Sequence, residues 1–287
     1  MILYSLMIVS VIFNVLKSML QNSYVKNMQR DNTDCLIFNL ILSISSLLTI
    51  LINSGFQLTV SKELLFFGIL LGLFSALSYY YMAQALITGS MSYTVFIAST
   101  AMLVPIIAGT FVWKDPISLV QILGILTLLF SFYLGINFSK KEKISGKWII
   151  ACIIMFISSG MIGVLQKLQQ LSPVKEETDS FLVLGFIFAS LFMSIPVLSS
   201  KDRRNLITFG TKPYIYAFGS GIAYGIINIL NLYLVGNMAS SVFFPAYNGG
   251  VILTTTIAGA LFFKEKLTTR QYISILVGIV GIVLVNI

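Results

Sequence analysis

Apolar residues run along this chain in stretches of about 20, from one end to the other, separated by short polar connections. Each stretch is long enough to cross the roughly 30 Å hydrocarbon core of a bilayer as an α-helix. The breaks place ten segments at roughly 2–20, 35–53, 64–87, 91–113, 117–138, 147–166, 181–199, 213–236, 240–263 and 269–287. None shows the alternating short segments of a lipid-facing barrel. The longest connections, "QNSYVKNMQRDNTD" and "QQLSPVKEETDS", are polar and too short to fold separately. The pattern predicts an all-α membrane protein with ten transmembrane helices. Composition supports it: 57% of the 287 residues are hydrophobic and 10% are charged, against about 25% charged in a soluble domain. One soluble core cannot bury that surplus. The opening "MILYSLMIVSVIFNV" lacks a basic leader and a small-residue cleavage signal, so it reads as a retained first span.

The ten segments divide five and five at "SKKEKISGK", and the second five echo the first at a nearly constant offset. "IAGTFVWKDPISLVQILG" (Ile107–Gly124) aligns with "IAGALFFKEKLTTRQYIS" (Ile257–Ser274) without a gap. Ala108, Gly109, Lys114 and Gln121 recur as Ala258, Gly259, Lys264 and Gln271, and Asp115 recurs as Glu265, each 150 positions on. Lys17 has Lys167 at its matching place. Agreement at several places argues for an internal repeat. The expected domains are a first five-span repeat at 1–138, a linker at 139–146 and a second five-span repeat at 147–287. An odd number of spans per repeat sets the halves in opposite orientations, the inverted-repeat plan of many secondary transporters, whose site lies near the midplane between the halves.

These features resemble the EamA-like branch of the drug/metabolite transporter superfamily. In that family each repeat closes with a small-residue helix, a short acidic turn and a last helix with Q-x-x-G spacing. Here those are "AGTFVWKDPISLVQILG" and "AGALFFKEKLTTRQYIS". The chain departs from the pattern at Asp115, where glutamate is usual, and at Ser274, where glycine is expected. Pro105 sits in the fourth span as the family has it, whereas the ninth span has Thr255 at the matching place and Pro245 ten residues earlier. The resemblance implies transport of small metabolites or drugs, with both termini inside the cell.

The formal charge of +8 points to membrane headgroups and topology rather than nucleic acid, because the basic residues lie in short connections. The odd-numbered connections carry fourteen Lys and Arg and the even-numbered ones four, Lys62, Lys114, Lys167 and Lys175. The positive-inside rule puts the odd connections in the cytoplasm and both termini outside, opposite to what the resemblance implies. Cys35 and Cys152 have neither disulfide nor metal spacing. No cofactor or metal is expected, and the sequence gives no oligomeric state.

The candidate chemistry lies in polar residues within apolar segments. Tyr224, Asn228 and Asn231 are spaced four and three apart and share a helix face. An unpaired amide in hydrocarbon costs several kcal/mol, so this face meets either protein partners or a wet cavity. The matching places in the first half are Ser78 and Tyr81, with Gln84 three residues on. The ninth segment holds "PAYNGG", where Tyr247 and Asn248 face a ligand or Gly249 and Gly250 pack closely against a neighbour. Ser99, with Thr100, is its counterpart in the fourth segment; both hydroxyls also have their own helix backbone as a partner. Asn14, Ser18 and Lys17 cluster in the first span, where Lys17 either snorkels to the interface or reaches the cavity.

All ten acidic residues fall in connections or at segment ends, and there is no histidine. A proton-coupled exporter of cations ordinarily needs an intramembrane carboxylate. An aromatic, amide-rich cavity edged by lysine suits a neutral, zwitterionic or weakly anionic solute, such as an amino acid; an aromatic box for a quaternary amine is the weaker fit. No nucleophile-plus-base pair, metal cluster or nucleotide motif is present, so the sequence points away from an enzyme. The expected partners are a small-molecule solute and the lipid bilayer, with no nucleic acid, and the expected location is the plasma membrane. The competing reading is a non-transporting assembly or sensor protein on the same fold.

Overall fold

The computed structural model describes residues 2–26, 32–89, 91–135, 145–199, 211–263 and 267–287. These residues form eleven α-helices: α1 (Ile2–Lys26), α2 (Asn32–Asn53), α3 (Lys62–Thr88), α4 (Met91–Thr100), α5 (Leu103–Phe111), α6 (Leu119–Gly135), α7 (Gly146–Leu171), α8 (Thr178–Ser199), α9 (Thr211–Asn237), α10 (Ser240–Phe263) and α11 (Thr269–Val285). Among the described residues, seven spans are long and apolar enough to cross a membrane: α1, α2, α3, the α4–α5 pair, α7, α8 and α9. α6 and α11 are apolar but have 17 residues each. Most of the proposed linker, together with Glu265, Lys264 and most of the basic residues of the odd connections, lies outside the described residues.

The predicted segment 91–113 is divided in two, and Pro105 explains the division. A proline nitrogen cannot donate to the carbonyl four residues back, here Ala101. The chain tightens instead, with Val104 N–H donating to Ala101 C=O at 3.1 Å and Ala101 N–H to Ala98 C=O at 3.2 Å. α10 stays continuous through Pro245, which lies near its start.

α3 packs on α7 and α8, α9 packs on α1 and α2, α2 also packs on α8, and α6 pairs with α11. α10 lies between α1 and α11 and meets α5. Large apolar side chains remain exposed at helical spacing on the outer faces, for example Leu126, Phe130 and Tyr133 of α6 and Leu276, Val280 and Val283 of α11. Stripes of that kind face lipid.

Small residues set how closely these helices approach. A Cβ on Gly72 of α3 would collide with Phe188 and come within 2.7 Å of the Ala189 nitrogen on α8. A Cβ on Gly221 of α9 would collide with Ser45 and lie 2.7 Å from the Leu42 carbonyl oxygen on α2. Between α6 and α11, Ser131 donates to the Ser274 carbonyl at 2.7 Å and Ser274 donates back to the Ser131 carbonyl at 2.8 Å. Ser274, where the family pattern has glycine, therefore closes a reciprocal pair and leaves neither hydroxyl unmet.

One end of the bundle is tied shut. Lys114 adopts a left-handed backbone (φ 56°) in the turn after α5, a conformation that carries a cost for a side-chain-bearing residue. The turn is held by Asp115 N–H donating to Gly109 C=O at 2.9 Å. It aims the Asp115 carboxylate at the start of α10, where Oδ2 accepts from Ser240 N–H at 3.0 Å. The Lys167 ammonium, at the far end of α7, stands 3.9 Å from the same Oδ2 and donates to the Val235 and Met238 carbonyls at 3.1 and 3.0 Å. Ser241 donates to the Pro116 carbonyl at 3.2 Å. The α5–α6 turn, the end of α7 and the α9–α10 turn are thus fastened around one charge pair, its lysine buried and its aspartate partly so.

Two stability results follow. Gly72→Leu destabilises the protein in detergent by about 1–3 kcal/mol of overpacking, whereas Gly146→Ala, whose added Cβ would meet nothing within 4 Å, causes no loss and stabilises by up to about 1 kcal/mol through the unfolded chain. Lys167→Met strands a largely buried carboxylate and two carbonyls and costs about 3–5 kcal/mol. Asp115→Asn keeps an acceptor for Ser240 N–H and leaves the lysine its two carbonyls, so its loss is smaller, about 1–3 kcal/mol. Equal losses in the two variants would contradict this division.

Candidate functional site

A cavity of about 350 Å³ lies inside the bundle, walled by α1, α3, α4–α5, α7, α9 and α10. A second cavity of about 300 Å³ adjoins it and extends toward Gln21, Tyr24, Cys35 and Leu86, where α1 and α3 finish and α2 begins. That is the end opposite the Asp115–Lys167 tie. The two share Lys17, Ser78, Tyr79, Ala98 and Ser159 in their walls. Each volume is at the lower end of small-molecule sites. Helix sequence explains the location: Asn14 and Ser159 stand at mid-length of α1 and α7, and the breaks and bends around Ala101–Met102 keep neighbouring backbones from closing the space.

The amides line the inner cavity and are also bonded across it. Asn231 Oδ1 accepts from Ser10 Oγ at 2.7 Å, and Asn14 Nδ2 donates to the Tyr247 hydroxyl at 2.8 Å. Asn228 donates to the Tyr224 carbonyl at 2.9 Å, and its Oδ1 accepts a longer 3.4 Å contact from Gln166 Nε2. Asn248 donates to the Phe244 carbonyl at 2.8 Å. The Tyr247 ring stacks on Phe243 with centroids 5.6 Å apart. Lys17 enters both cavities, its Nζ 4.8 Å from the centre of the Tyr224 ring. Ser78 shares a 2.7 Å bond with Ser159 of α7. Asn14, Lys17, Ser78, Tyr224, Asn228, Asn231, Tyr247 and Asn248 therefore converge on one space.

Three expected residues lie elsewhere. Tyr81 packs beside Ala85, Trp148, Ala151 and Cys152, with its ring edge-on to Tyr80. Gln84 is outside both linings, and its backbone carbonyl accepts from Thr88. Ser99 donates to the Val95 carbonyl of its own helix at 2.8 Å. The reason is register. On α3 the inward face runs through Ser78, Tyr79, Met82, Ala83 and Leu86, and Tyr81 is turned about 100° per residue away from it. Tyr79, Ser159 and Gln166 line the space and were not singled out as wall residues in the sequence. Gln166 and Ser159 are seven apart on α7, two turns on one face, and that spacing was the available signal.

Asp and Glu are missing from the described residues lining either cavity. The walls offer hydrogen-bond donors and acceptors, aromatic faces and one ammonium. Chemically this arrangement can hold and orient a small polar molecule out of bulk water. Among the described residues the lining has no nucleophile–base pair.

No curated protein matches the sequence. A crystal structure described only as "Crystal structure of protein" matches with a TM-score of 0.75 at 12% identity, covering 99% of this chain and 98% of that one; at that identity the likeness speaks for the fold. The model of the EamA-like transporter family matches residues 146–287, from the first residue of α7 onward. Through those residues the chain belongs to the EamA-like transporter family, within the drug/metabolite transporter superfamily.

Proposed function

We propose that this protein is a secondary transporter that carries small polar metabolites, zwitterionic or neutral and amino-acid-like, across the plasma membrane by alternating access. The observation that carries the reading is a polar cavity at mid-depth of an apolar bundle, extending to one end while the other end is tied shut. The ten segments are read as ten spans in two inverted repeats.

The α6–α11 contact supports the repeat. Gly124 meets Val285, and its partner by the 150-residue offset is Gly135 meeting Ser274. Likewise Gly281 meets Leu128, matched by Ser131 meeting Gly278. The contacts run in opposite chain directions, as between antiparallel helices related by a twofold axis across them. Helix partners exchange in the same way: α1 on α9 answers α7 on α3, and α2 on α9 answers α8 on α3. In a bilayer such an axis lies in the membrane plane. By the positive-inside rule, the open end, which carries the odd connections, faces the cytoplasm.

With neither carboxylate nor histidine in the walls, the transport step is facilitated diffusion, exchange or coupling to another ion. Lys17 makes an organic cation a poor fit. A sensor or assembly role is favoured only by the cross-cavity bonds of Asn14 and Asn231, which also serve as structural glue.

Proteoliposomes test the reading directly. Asn228→Leu and Asn231→Leu lower solute flux by about ten- to hundredfold, the loss of a hydrogen bond or two to the transported molecule, with insertion and folding retained. Reduced stability with flux per folded molecule intact returns these amides to glue. Dissipating a proton gradient at clamped membrane potential leaves the flux unchanged; collapse of the flux contradicts the coupling proposed here.

A further inference from the structure

The geometry points to an oxyanion subsite formed by Lys17 and the Tyr79 hydroxyl at the junction of the two cavities, taking the carboxylate or phosphate of a small soluble substrate. This deepens the transport reading and rests on it for the identity of the site, though not for binding itself.

Two residues that carry donors line one space. The Lys17 ammonium has three N–H donors, and its recorded contact is the face of Tyr224. Its repeat partner Lys167 shows what saturation looks like, with two carbonyls and a carboxylate. Tyr79 supplies the independent observation: its hydroxyl oxygen is enclosed and makes no hydrogen bond of good geometry, with the Tyr224 side chain as its polar neighbour. Buried polar atoms of that kind are rare, and each costs about what a lost hydrogen bond costs. Tyr79 stands edge-on to the same Tyr224 ring, with centroids 6.3 Å apart. Lys17 and Tyr79 both line the inner and the outer cavity, so the group they receive sits at the passage between them.

Charge decides the class. The lining contributes one cation and no carboxylate among the described residues; Asp34 neighbours the wall residue Cys35 near the outer rim and is not itself in the lining. A solute anion supplies the missing countercharge, and the phenol supplies a neutral donor that strengthens a bond to it. Beyond this point Asn14, Asn228, Asn231 and Tyr247 can bind the polar remainder, with Phe243 and Phe244 beside them. The substrate is thus acidic at the end facing the mouth and polar at the other.

The test is thermal unfolding of the purified full chain against amino acids, each paired with its carboxamide, with inorganic phosphate and glycerol phosphate as a second arm. At least one oxyanion raises the unfolding temperature, and the uncharged amide of an acid that does so has little effect. Lys17→Gln weakens binding of that oxyanion roughly tenfold or more, and Tyr79→Phe, which keeps the packed ring, roughly three- to tenfold. Equal response to acid and amide, unchanged binding in both variants, or no response to any soluble oxyanion overturns the proposal. So does a response confined to phosphatidylglycerol micelles, which assigns the donors to a lipid headgroup. Flux in proteoliposomes separates the two readings: oxyanion binding without flux removes the transporter and keeps the subsite, and flux indifferent to the acid group does the reverse.

Discussion

An amide or ammonium group surrounded by hydrocarbon must find a partner, and that demand organises this molecule. Helices satisfy their own backbone, so the remaining obligations fall on a few side chains. At the closed end they are met inside the protein: Lys167 is held by Val235, Met238 and Asp115. At mid-depth they are met by bonds between helices, Ser10 with Asn231 and Asn14 with Tyr247. At Lys17 the partner is an aromatic face rather than a carboxylate or carbonyl, and there the cavity runs toward the end of the bundle. The same bonds that hold the inner wall together are of a kind that a polar solute can replace, because amides and hydroxyls both donate and accept.

Lys17 and Lys167 occupy matching places in the sequence yet have different surroundings. Lys167 is held by two carbonyls and a carboxylate, whereas Lys17 meets the face of Tyr224, a difference that the proposed transport cycle accounts for as one end closed and the other open. The Asp115–Lys167 pair contributes to the closed end, and under the proposed alternating access that end opens only if the pair parts. A pair at 3.9 Å, with the aspartate side chain 17% exposed, is suited to parting more readily than a fully enclosed one.

Much of this was legible in the chain itself. The apolar runs announced the helices, because a 20-residue stretch has few other fates. The four-and-three spacing of Tyr224, Asn228 and Asn231 placed them on one wall, and Pro105 carried the signal for the break before α5. What the sequence could not fix was rotation. Periodicity shows which residues share a face, not which face turns inward, so Tyr79 was passed over and Tyr81 chosen. Transfer by the 150-residue offset carried Asn231 to Tyr81, which packs beside Trp148 and not on the cavity. Ser99 and Thr100 illustrate a third limit: a hydroxyl in a helix can always return to its own backbone, and here both do.

The central claim is that the two ends open in turn. Gln21 and Ile87 flank the open end, and the 150-residue offset carries them to Leu171 and Asn237 at the tied end; all four are exposed. Spin labels at Gln21 with Ile87, and separately at Leu171 with Asn237, on a background free of Cys35 and Cys152, report both separations by pulsed electron–electron resonance in lipid. Alternating access predicts that adding an amino acid that is carried shortens one separation as it lengthens the other. Both separations holding fixed, or moving in the same sense, while flux is measured in the same preparation would contradict it.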